Sequence, residues 1–452
     1  MASSSSHAPS YAAVLREPHV LRTFAPALVA RFSYGIVFVS LAVALTQATG
    51  SYAWAGGALA LFGASTAFLA PLRARLIDRR GPRRVLPTMA AVYAILLAAL
   101  TAATWQAGTP RWLLMLLTGV AGACAPPLGP VMRAAWSALL PDPALRQRAF
   151  SLDTVAEELL YVSGPLAAGV FIAVGHPAIG VGVSAGLLLS GTLVMVASPA
   201  MCAPEPGVAA GARQMGVSRG RWRGLRGNAL LEPVVVTAGV GMCLGALSLL
   251  LVVFSERQKE PAAVAWLEAA LAVGSAIGGL AYGARAWQLP GRIRLPLLAL
   301  ALGLVLSVAG MSPNLWGLAL VVCAAGACVA PALTTAYLVA DECTDTTSRT
   351  RAGTWVNSAF NAGSSGGTAL TGLTVDLLPL WCCFAVATLP AVLSGVAVLA
   401  RVPLPRPRLA GRREPGVLRD EVEGESGAPQ GAPTQLPQKP GTASGSGSSL
   451  IS

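Results

Sequence analysis

Twelve stretches of the chain are long and apolar enough to cross a lipid bilayer as single α-helices. A transmembrane helix needs roughly 20 predominantly apolar residues. The bilayer core offers no water to bind free backbone groups, so such stretches must form helices. The sequence therefore predicts an all-α membrane protein with twelve transmembrane helices, at residues 24–46, 51–71, 85–106, 112–139, 149–174, 178–201, 229–254, 262–286, 295–312, 315–338, 352–376 and 380–401.

The composition excludes a water-soluble fold. Hydrophobic residues make up 54% of the chain and charged residues only 12%, whereas soluble domains are about 25% charged. A net charge of +12 can indicate nucleic-acid binding, but that requires basic residues on one soluble face. Here the arginines lie in loops between apolar stretches. We therefore expect a lipid bilayer as the partner and no nucleic acid.

Positive charges crowd every second loop, which predicts the orientation of the chain because cytoplasmic loops of membrane proteins are enriched in Lys and Arg. Both termini are then cytoplasmic. The opposite side has only Arg111, Arg257 and Lys259. The preference for Arg over Lys suits a bacterium, so we expect a bacterial plasma membrane. The loops assigned to the cytoplasm contain Arg16, Arg22, Arg73, Arg75, Arg79, Arg80, Arg83, Arg84, Arg146, Arg148, Arg213, Arg219, Arg221, Arg223, Arg226, Arg285, Arg292, Arg294, Arg349 and Arg351.

The chain divides into two similar halves. A cytoplasmic segment 1–23 precedes a first six-helix bundle (24–201), and a polar linker (202–228) leads to a second bundle (229–401) and a Pro/Gly/Ser-rich tail (402–452) that we expect to be disordered. Six helices per half give a parallel repeat, with a cavity between two bundles. The residues that recur are Ala121–Cys124 with Ala325–Cys328, Pro127 with Pro331, Arg148, Gly164 and Gly169 with Arg351, Gly367 and Gly372, and Arg75, Gly81 and Arg84 with Arg285, Gly291 and Arg294.

The segment that follows the second stretch resembles the signature loop of the major facilitator superfamily (MFS). It reads Ala-Arg-Leu-Ile-Asp-Arg-Arg-Gly-Pro-Arg-Arg over residues 74–84, with Ala74 where the family has Gly. The superfamily is the standard example of two parallel six-helix bundles related by a pseudo-two-fold axis. The resemblance implies that fold. It also implies a cytoplasmic gating loop, in which a carboxylate faces the start of the eleventh helix, formed by Asp78, Arg79, Gly81, Arg83 and Arg84.

A second, shorter resemblance concerns the direction of transport. Gly164-Pro165 followed by Gly169 resembles the end of the antiporter motif of drug–proton antiporters, although Ser151 and Leu160 stand where that motif has Gly. It implies a secondary active transporter that exports a small organic solute in exchange for protons. A kink that serves helix packing explains the same residues. Proton-coupled uptake of a metabolite and a non-transporting receptor or assembly protein with this fold remain alternatives.

Five ionisable residues lie at similar depth in three apolar stretches of the first half. Charges inside a bilayer are costly and are therefore functional candidates. At about 1.5 Å per residue four of them lie roughly 10–14 Å from the cytoplasmic ends, and Asp153 precedes Glu157 by four residues on the same helical face. They either carry the coupling proton, with Glu157 as the carboxylate that gains and loses it, or form permanent ion pairs that fix the helices. The five are Arg31, Arg133, Asp153, Glu157 and Glu158.

The second half has its own polar candidates. Glu268 lies about seven residues into the eighth stretch with no basic residue at that depth, so it is protonated or faces water. Asn357 and Asn361 are four residues apart and share one face of the eleventh stretch. They bind either the substrate or neighbouring helices.

Nothing in the sequence predicts an enzyme or a cofactor. The Gly363–Gly367 segment matches serine-hydrolase patterns, but these need a histidine base, and His7, His19 and His176 all lie outside the apolar stretches. We expect no metal and no cofactor, and a monomer that binds a small molecule and a proton. The eight cysteines are expected to be small packing residues, at Cys124, Cys202, Cys243, Cys323, Cys328, Cys343, Cys382 and Cys383.

Overall fold

A computed structural model of the protein describes residues 10–106, 108–201, 223–260 and 262–401. Within these ranges the chain is helical and contains no strand. Short 3-10 turns cover Pro199–Met201, Ala309–Met311 and Thr346–Ser348. The helices are α1 (Tyr11–Arg16), α2 (Val20–Thr49), α3 (Tyr52–Arg80), α4 (Pro82–Trp105), α5 (Arg111–Cys124), α6 (Leu128–Leu139), α7 (Pro143–Val174), α8 (Pro177–Ala197), α9 (Arg223–Arg257), α10 (Ala263–Ala284), α11 (Gly291–Ser307), α12 (Leu315–Glu342), α13 (Arg349–Thr374) and α14 (Leu380–Leu399).

Eleven of the described helical units are long and apolar enough to cross a membrane, counting α5 and α6 as one. The predicted all-α, multi-pass architecture is confirmed. The exception among the long helices is α13, which is rich in Gly, Ser, Thr and Asn and does not reach this hydropathy. Its small residues let it pack closely on α9, where Gly363 faces the backbone of Ala238. That α13 is a twelfth span remains a prediction.

Each half packs mainly within itself. In the first half α8 packs against α2 and α4, and α3 against α5; in the second, α9 packs against α13, and α10 against α12. The contacts between the two halves are arranged symmetrically. Helix α3 meets α13, and α7 meets α10. These pairs correspond under the repeat that the sequence predicts.

Most hydrogen bonds between the halves, among the described residues, lie at one end of the helices. They include bonds that join the end of α3 to the start of α13 and the start of α7 to the end of α10. We call this end the Asp78 face. It carries the arginine-rich connections, and the two halves are closed against each other there.

The structure changes three details of the predicted helices, although the fourth stretch still forms one candidate span, Arg111–Leu139. The fourth stretch, 112–139, is broken, because Pro126 and Pro127 have no amide hydrogens with which to continue α5. The presumed loop after the second stretch is largely helix, since α3 runs to Arg80 and only Gly81, at φ +83°, separates it from α4. Arg73, predicted to lie in that loop, lies within α3 and is buried.

The boundaries of the two bundles also shift. The N-terminal segment contains α1, and the first long helix begins at Val20 rather than at residue 24. Helix α9 begins at Arg223, inside the predicted linker. The predictions for residues 1–9, for the rest of the linker (202–222) and for the tail (402–452) lie outside the described residues.

Candidate functional site

Two arginines and two carboxylates meet where α2, α6 and α7 come together. The Arg31 guanidinium lies 2.6 Å from Asp153 Oδ1 and 3.0 Å from Glu157 Oε1. Arg133 lies 3.2 Å from Asp153 Oδ2 through its Nε and contacts Glu157 Oε2 through its Nη2. Each arginine thus contacts both carboxylates. We call these four residues the charge square; its net charge is zero.

The two carboxylates of the charge square differ in exposure. The side chain of Asp153 is 0% exposed, whereas that of Glu157 is 21% exposed. Both lie on one face of α7, because residues four apart in a helix are neighbours. Although they share this face, Asp153 is fully enclosed by the protein, whereas Glu157 borders a cavity.

A small cavity of about 30 Å³ opens beside the charge square. A close approach of α2 and α7 forms one wall, where the Cα of Gly164 lies 2.9 Å from where a side chain on Gly35 would begin. The predicted kink residue Gly164 is thus a packing residue as well. The cavity is lined by Arg31, Tyr34, Gly35, Glu157, Leu160 and Tyr161.

The charge square is connected to the second half through Arg133. Its guanidinium lies 3.6 Å from the ring centre of Tyr337 in α12, a cation–π contact. The Tyr337 hydroxyl in turn donates to Asn357 Oδ1 in α13 over 3.4 Å. A movement of α12 therefore changes the contacts of Arg133 directly, and a movement of α13 does so through Tyr337. Tyr337 has no charge to mark it, and sequence reasoning missed it.

The other predicted polar residues lie outside the charge square. Glu158, half-buried on α7, is within electrostatic range of both Glu157 and Glu268. Glu268 is half-buried, and no basic residue in the described part of the chain pairs with it. Asn361 is exposed. The described residues contain no group of three or more His, Cys, Asp and Glu side chains suited to a metal ion.

Asp78, the acid of the signature segment, lies at the start of α13. The Arg351 amide donates to Asp78 Oδ2 over 3.1 Å, and a carboxylate at a helix N-terminus interacts favourably with the helix dipole. Arg83 Nε donates to the Val196 carbonyl at the end of α8 over 3.3 Å. Arg79 and Arg84 are exposed. A gating role for these residues remains a prediction.

Sequence reasoning missed a second set of contacts at the Asp78 face, around the last turn of α10. Arg148 Nη2 donates to the Ala284 carbonyl over 2.9 Å. Gln147 Nε2 donates to the Tyr282 and Arg285 carbonyls over 3.2 and 3.0 Å. An arginine at a helix C-terminus is favourable because that end is negative. The repeat, which pairs Arg148 with Arg351, was the one signal available.

The N-terminal helix α1 joins the same contacts. The Tyr11 hydroxyl donates to the Leu280 carbonyl of α10 over 2.6 Å, and Ser151 of α7 donates to the Gly279 carbonyl. Burial raises the pKa of Tyr11, so its hydroxyl remains a donor at neutral pH. Residues from α1 and α7 therefore cap the end of α10 together.

Solved structures of similar fold include three membrane transporters. The human organic anion transporter MFSD10 (TETRAN) matches with a TM-score of 0.66 and 14% identity, over 85% of this chain and 100% of that chain. A bacterial homologue of the iron transporter ferroportin, in an outward-facing state, matches with 0.61 and 12%, over 84% and 99%. The E. coli fucose:proton symporter FucP matches with 0.61 and 12%, over 84% and 98%.

These identities are low, so the likeness shows the fold alone. No curated protein sequence matches the chain. The family model "Major Facilitator Superfamily" matches residues 24–296, more than half of the chain, and includes the signature segment and the charge square. The chain therefore belongs to the major facilitator superfamily.

Proposed function

We propose that this protein is a secondary active transporter that moves a small organic solute by alternating access and couples that movement to protons. The observation that supports this most is the charge square beside a cavity. Four ionisable groups inside apolar helices are costly in a bilayer. They are tolerated here because they neutralise one another, and two of them, Arg31 and Glu157, line the cavity.

Glu157 is the carboxylate that we propose to carry the proton. Asp153 is fully buried and contacts both arginines, so it anchors them. Glu157 is held by the same arginines but is exposed to the cavity. When Arg133 moves away, Glu157 keeps a single partner, and a poorly paired carboxylate in a low-dielectric environment takes up a proton.

The movement of Arg133 follows from the contacts between the halves. Arg133 lies on α6 and stacks on Tyr337 of α12, so opening the Asp78 face separates this pair. The same opening breaks the contact of Asp78 with α13 and those of Arg148 and Gln147 with α10. We propose that these contacts hold the closed state of the Asp78 face. Proton binding and opening are then linked through one residue.

Export is the direction we favour. In this structure the cavity is large enough for only about one water molecule. We propose that Tyr34, Tyr161 and Leu160 in its wall contact an apolar part of the exported compound once the cavity widens. The Gly164-Pro165 pair resembles the end of the antiporter motif. The membrane is proposed to be the bacterial plasma membrane, with both termini cytoplasmic, twelve spans and a monomeric protein.

Uptake of an anionic metabolite is the second candidate. Arg133 Nη1 is buried and has no hydrogen-bond acceptor among the described residues, so we propose that it donates to a substrate carboxylate when α6 moves and uncovers it. One solved structure of similar fold is described as an organic anion transporter and another as a proton symporter. The direction of proton-driven flux separates the two candidates. Absence of any flux would instead support a non-transporting receptor.

The proposed function is tested by flux in proteoliposomes under an imposed pH gradient, with a panel of fluorescent lipophilic compounds and organic anions. Wild-type protein is expected to accumulate a compound only when the gradient is present. Glu157→Gln is expected to lose gradient-driven accumulation, whereas Glu256→Gln, at the exposed end of α9, is expected to behave as wild type. Equal coupling in wild type and Glu157→Gln would exclude Glu157 as the proton carrier.

A further inference from the structure

The break between α5 and α6 leaves buried backbone carbonyls without hydrogen-bond partners in their own helix. Helix α5 ends at Cys124 and α6 begins at Leu128. The last carbonyls of a helix have no partner within it, and Pro126 and Pro127 have no amide hydrogens to offer them. Inside a bilayer such carbonyls need another partner. In transporters, unwound backbone of this kind often coordinates a cation.

One arginine donates to three of the carbonyls at this break, and Thr66 Oγ1 also donates to one of them, that of Gly122, over 3.0 Å. Arg73 Nη1 donates to the carbonyls of Gly122, Ala123 and Ala125 over 3.0, 3.2 and 2.5 Å. Its Nη2 donates to the Thr66 carbonyl of its own helix α3 over 2.5 Å. The residue is only 6% exposed. Among the described residues, no carboxylate lies within ion-pair distance of Arg73, so carbonyl dipoles alone balance its charge.

The second half of the chain provides an internal comparison. The Ala-Gly-Ala-Cys sequence before the break recurs at Ala325–Cys328, and Pro331 follows it. Yet α12 is one continuous helix through this point. The repeat that pairs Arg75 with Arg285 places Gly283 opposite Arg73. The buried cation and the helix break thus occur together in the first half, and neither occurs in the second.

The break also determines where α6 points. The Tyr34 hydroxyl donates to the Pro126 carbonyl over 2.5 Å, so α2 and α3 hold the break from two sides. Arg133 lies little more than one turn into α6. The orientation of α6 at the break therefore sets how Arg133 meets the charge square.

We propose that the carbonyl oxygens at the α5–α6 break form a cation-binding site that the guanidinium of Arg73 fills, and that this internal cation positions Arg133. Arg73 is a positioning residue: it contacts neither the cavity nor the charge square. The effect on transport rests on the proposed function above. The occupancy of the carbonyl site does not depend on the proposed function, because it can be measured without a substrate.

The test is chemical rescue of Arg73→Ala, followed by backbone hydrogen exchange over residues 120–133, since exchange reports local opening. Removing the side chain is expected to raise exchange at the break and in the first turn of α6. Guanidinium at millimolar concentrations, far below denaturing ones, is expected to restore protection, whereas urea at the same concentrations is not. Arg75→Ala, two residues away and exposed, is expected to exchange like wild type with or without guanidinium.

Two further variants test the need for a cation in case Arg73→Ala does not fold. Arg73→Lys keeps a positive charge at the break and is expected to retain most of the protection. Arg73→Gln keeps hydrogen-bond donors without charge and is expected to lose it. Equal protection in the Lys and Gln variants would overturn the assignment of a cation site, as would an Arg73→Ala protein that is folded and protected without guanidinium.

Transport provides the second readout. Flux through Arg73→Ala is expected to fall about tenfold or more, because one lost charge-assisted hydrogen bond corresponds to at least that factor, and to recover with guanidinium. Full flux in a variant whose break is unprotected would contradict the positioning role. A wild-type protein that moves no solute would instead contradict the proposed function and leave the exchange result unaffected.

Discussion

Removing the charge of Asp153 is expected to destabilise the protein strongly. Asp153 is fully buried, and it contacts Arg31 at 2.6 Å and Arg133 at 3.2 Å. Asp153→Asn leaves two arginines with one carboxylate, so the charge square becomes positive overall. Breaking a buried ion pair from one side costs about 3–5 kcal/mol. This is a large part of the roughly 5–15 kcal/mol that stabilises a typical domain.

Thermal unfolding of the purified protein in detergent measures this cost. With a shift of about 2–4 °C for each kcal/mol, the apparent midpoint of Asp153→Asn is expected to fall by roughly 6–20 °C. Asp376→Asn, at an exposed position after α13, is the matched control and is expected to change stability by less than about 0.5 kcal/mol.

A second substitution distinguishes lost charge balance from lost packing. Arg31→Gln restores neutrality when combined with Asp153→Asn, because Arg133 and Glu157 remain as a pair. The double variant is therefore expected to be more stable than Asp153→Asn alone, with a coupling energy of about 1–3 kcal/mol. If Asp153→Asn unfolds at the same temperature as Asp376→Asn, the charge square does not stabilise the fold and the argument from its burial is wrong.

Three smaller perturbations test the packing and the Asp78 face. Gly164→Ala is expected to lower the free energy of unfolding by about 1–3 kcal/mol, because a methyl group there meets the backbone of α2. Gly169→Ala, with open space around it, is expected to lack this cost, and equal unfolding midpoints for the two variants would contradict the argument. Asp78→Asn removes a charge worth about 0.3–1 kcal/mol at the start of α13, so hydrogen exchange in the first turn of α13 is expected to rise; unchanged exchange would count against the contact. Tyr11→Phe is expected to lower the free energy of unfolding by about 0.5–1.5 kcal/mol through its lost hydrogen bond, whereas Tyr52→Phe, at an exposed position, is expected to leave it unchanged. Denaturant unfolding measures both, and equal free energies for the two variants would contradict the contact of Tyr11.

The helices were predictable because a bilayer imposes a minimum apolar length, and that length can be read directly from the sequence. The break in the fourth stretch was not, because hydropathy does not distinguish a continuous helix from two short ones. Pro126 and Pro127 were a visible signal, but prolines also occur inside unbroken helices here, such as Pro331 in α12. Whether a proline breaks a helix depends on what satisfies the freed carbonyls, which is a tertiary property.

The charge square was predictable in part. Counting residues from the helix ends placed Arg31, Arg133, Glu157 and Glu158 at one depth, since the rise per residue is constant, and the i, i+4 spacing placed Asp153 on the face of Glu157. Which charges meet depends on how each helix is rotated about its axis, and depth contains no information on rotation. The count therefore could not separate Glu157, which joins the square, from its neighbour Glu158, which does not.

The contacts of Arg73 and Arg148 show a general limit of reading charges from sequence. Both arginines looked like ordinary positive residues of cytoplasmic connections. In the structure they donate to backbone carbonyls of other helices. A backbone acceptor has no sequence signature, because every residue carries one. Only the fold identifies which carbonyls are left without a partner.

The central claim is that solute movement and proton movement are linked through Glu157. Proteoliposomes with a pH-sensitive dye in the lumen test it most directly when they are loaded with the transported compound and diluted into compound-free buffer without a pH gradient. Efflux of the compound by wild-type protein is expected to acidify the lumen, because protons enter in exchange, and Glu157→Gln is expected to abolish the acidification. Efflux of the compound by wild-type protein without any change in lumenal pH would contradict the account.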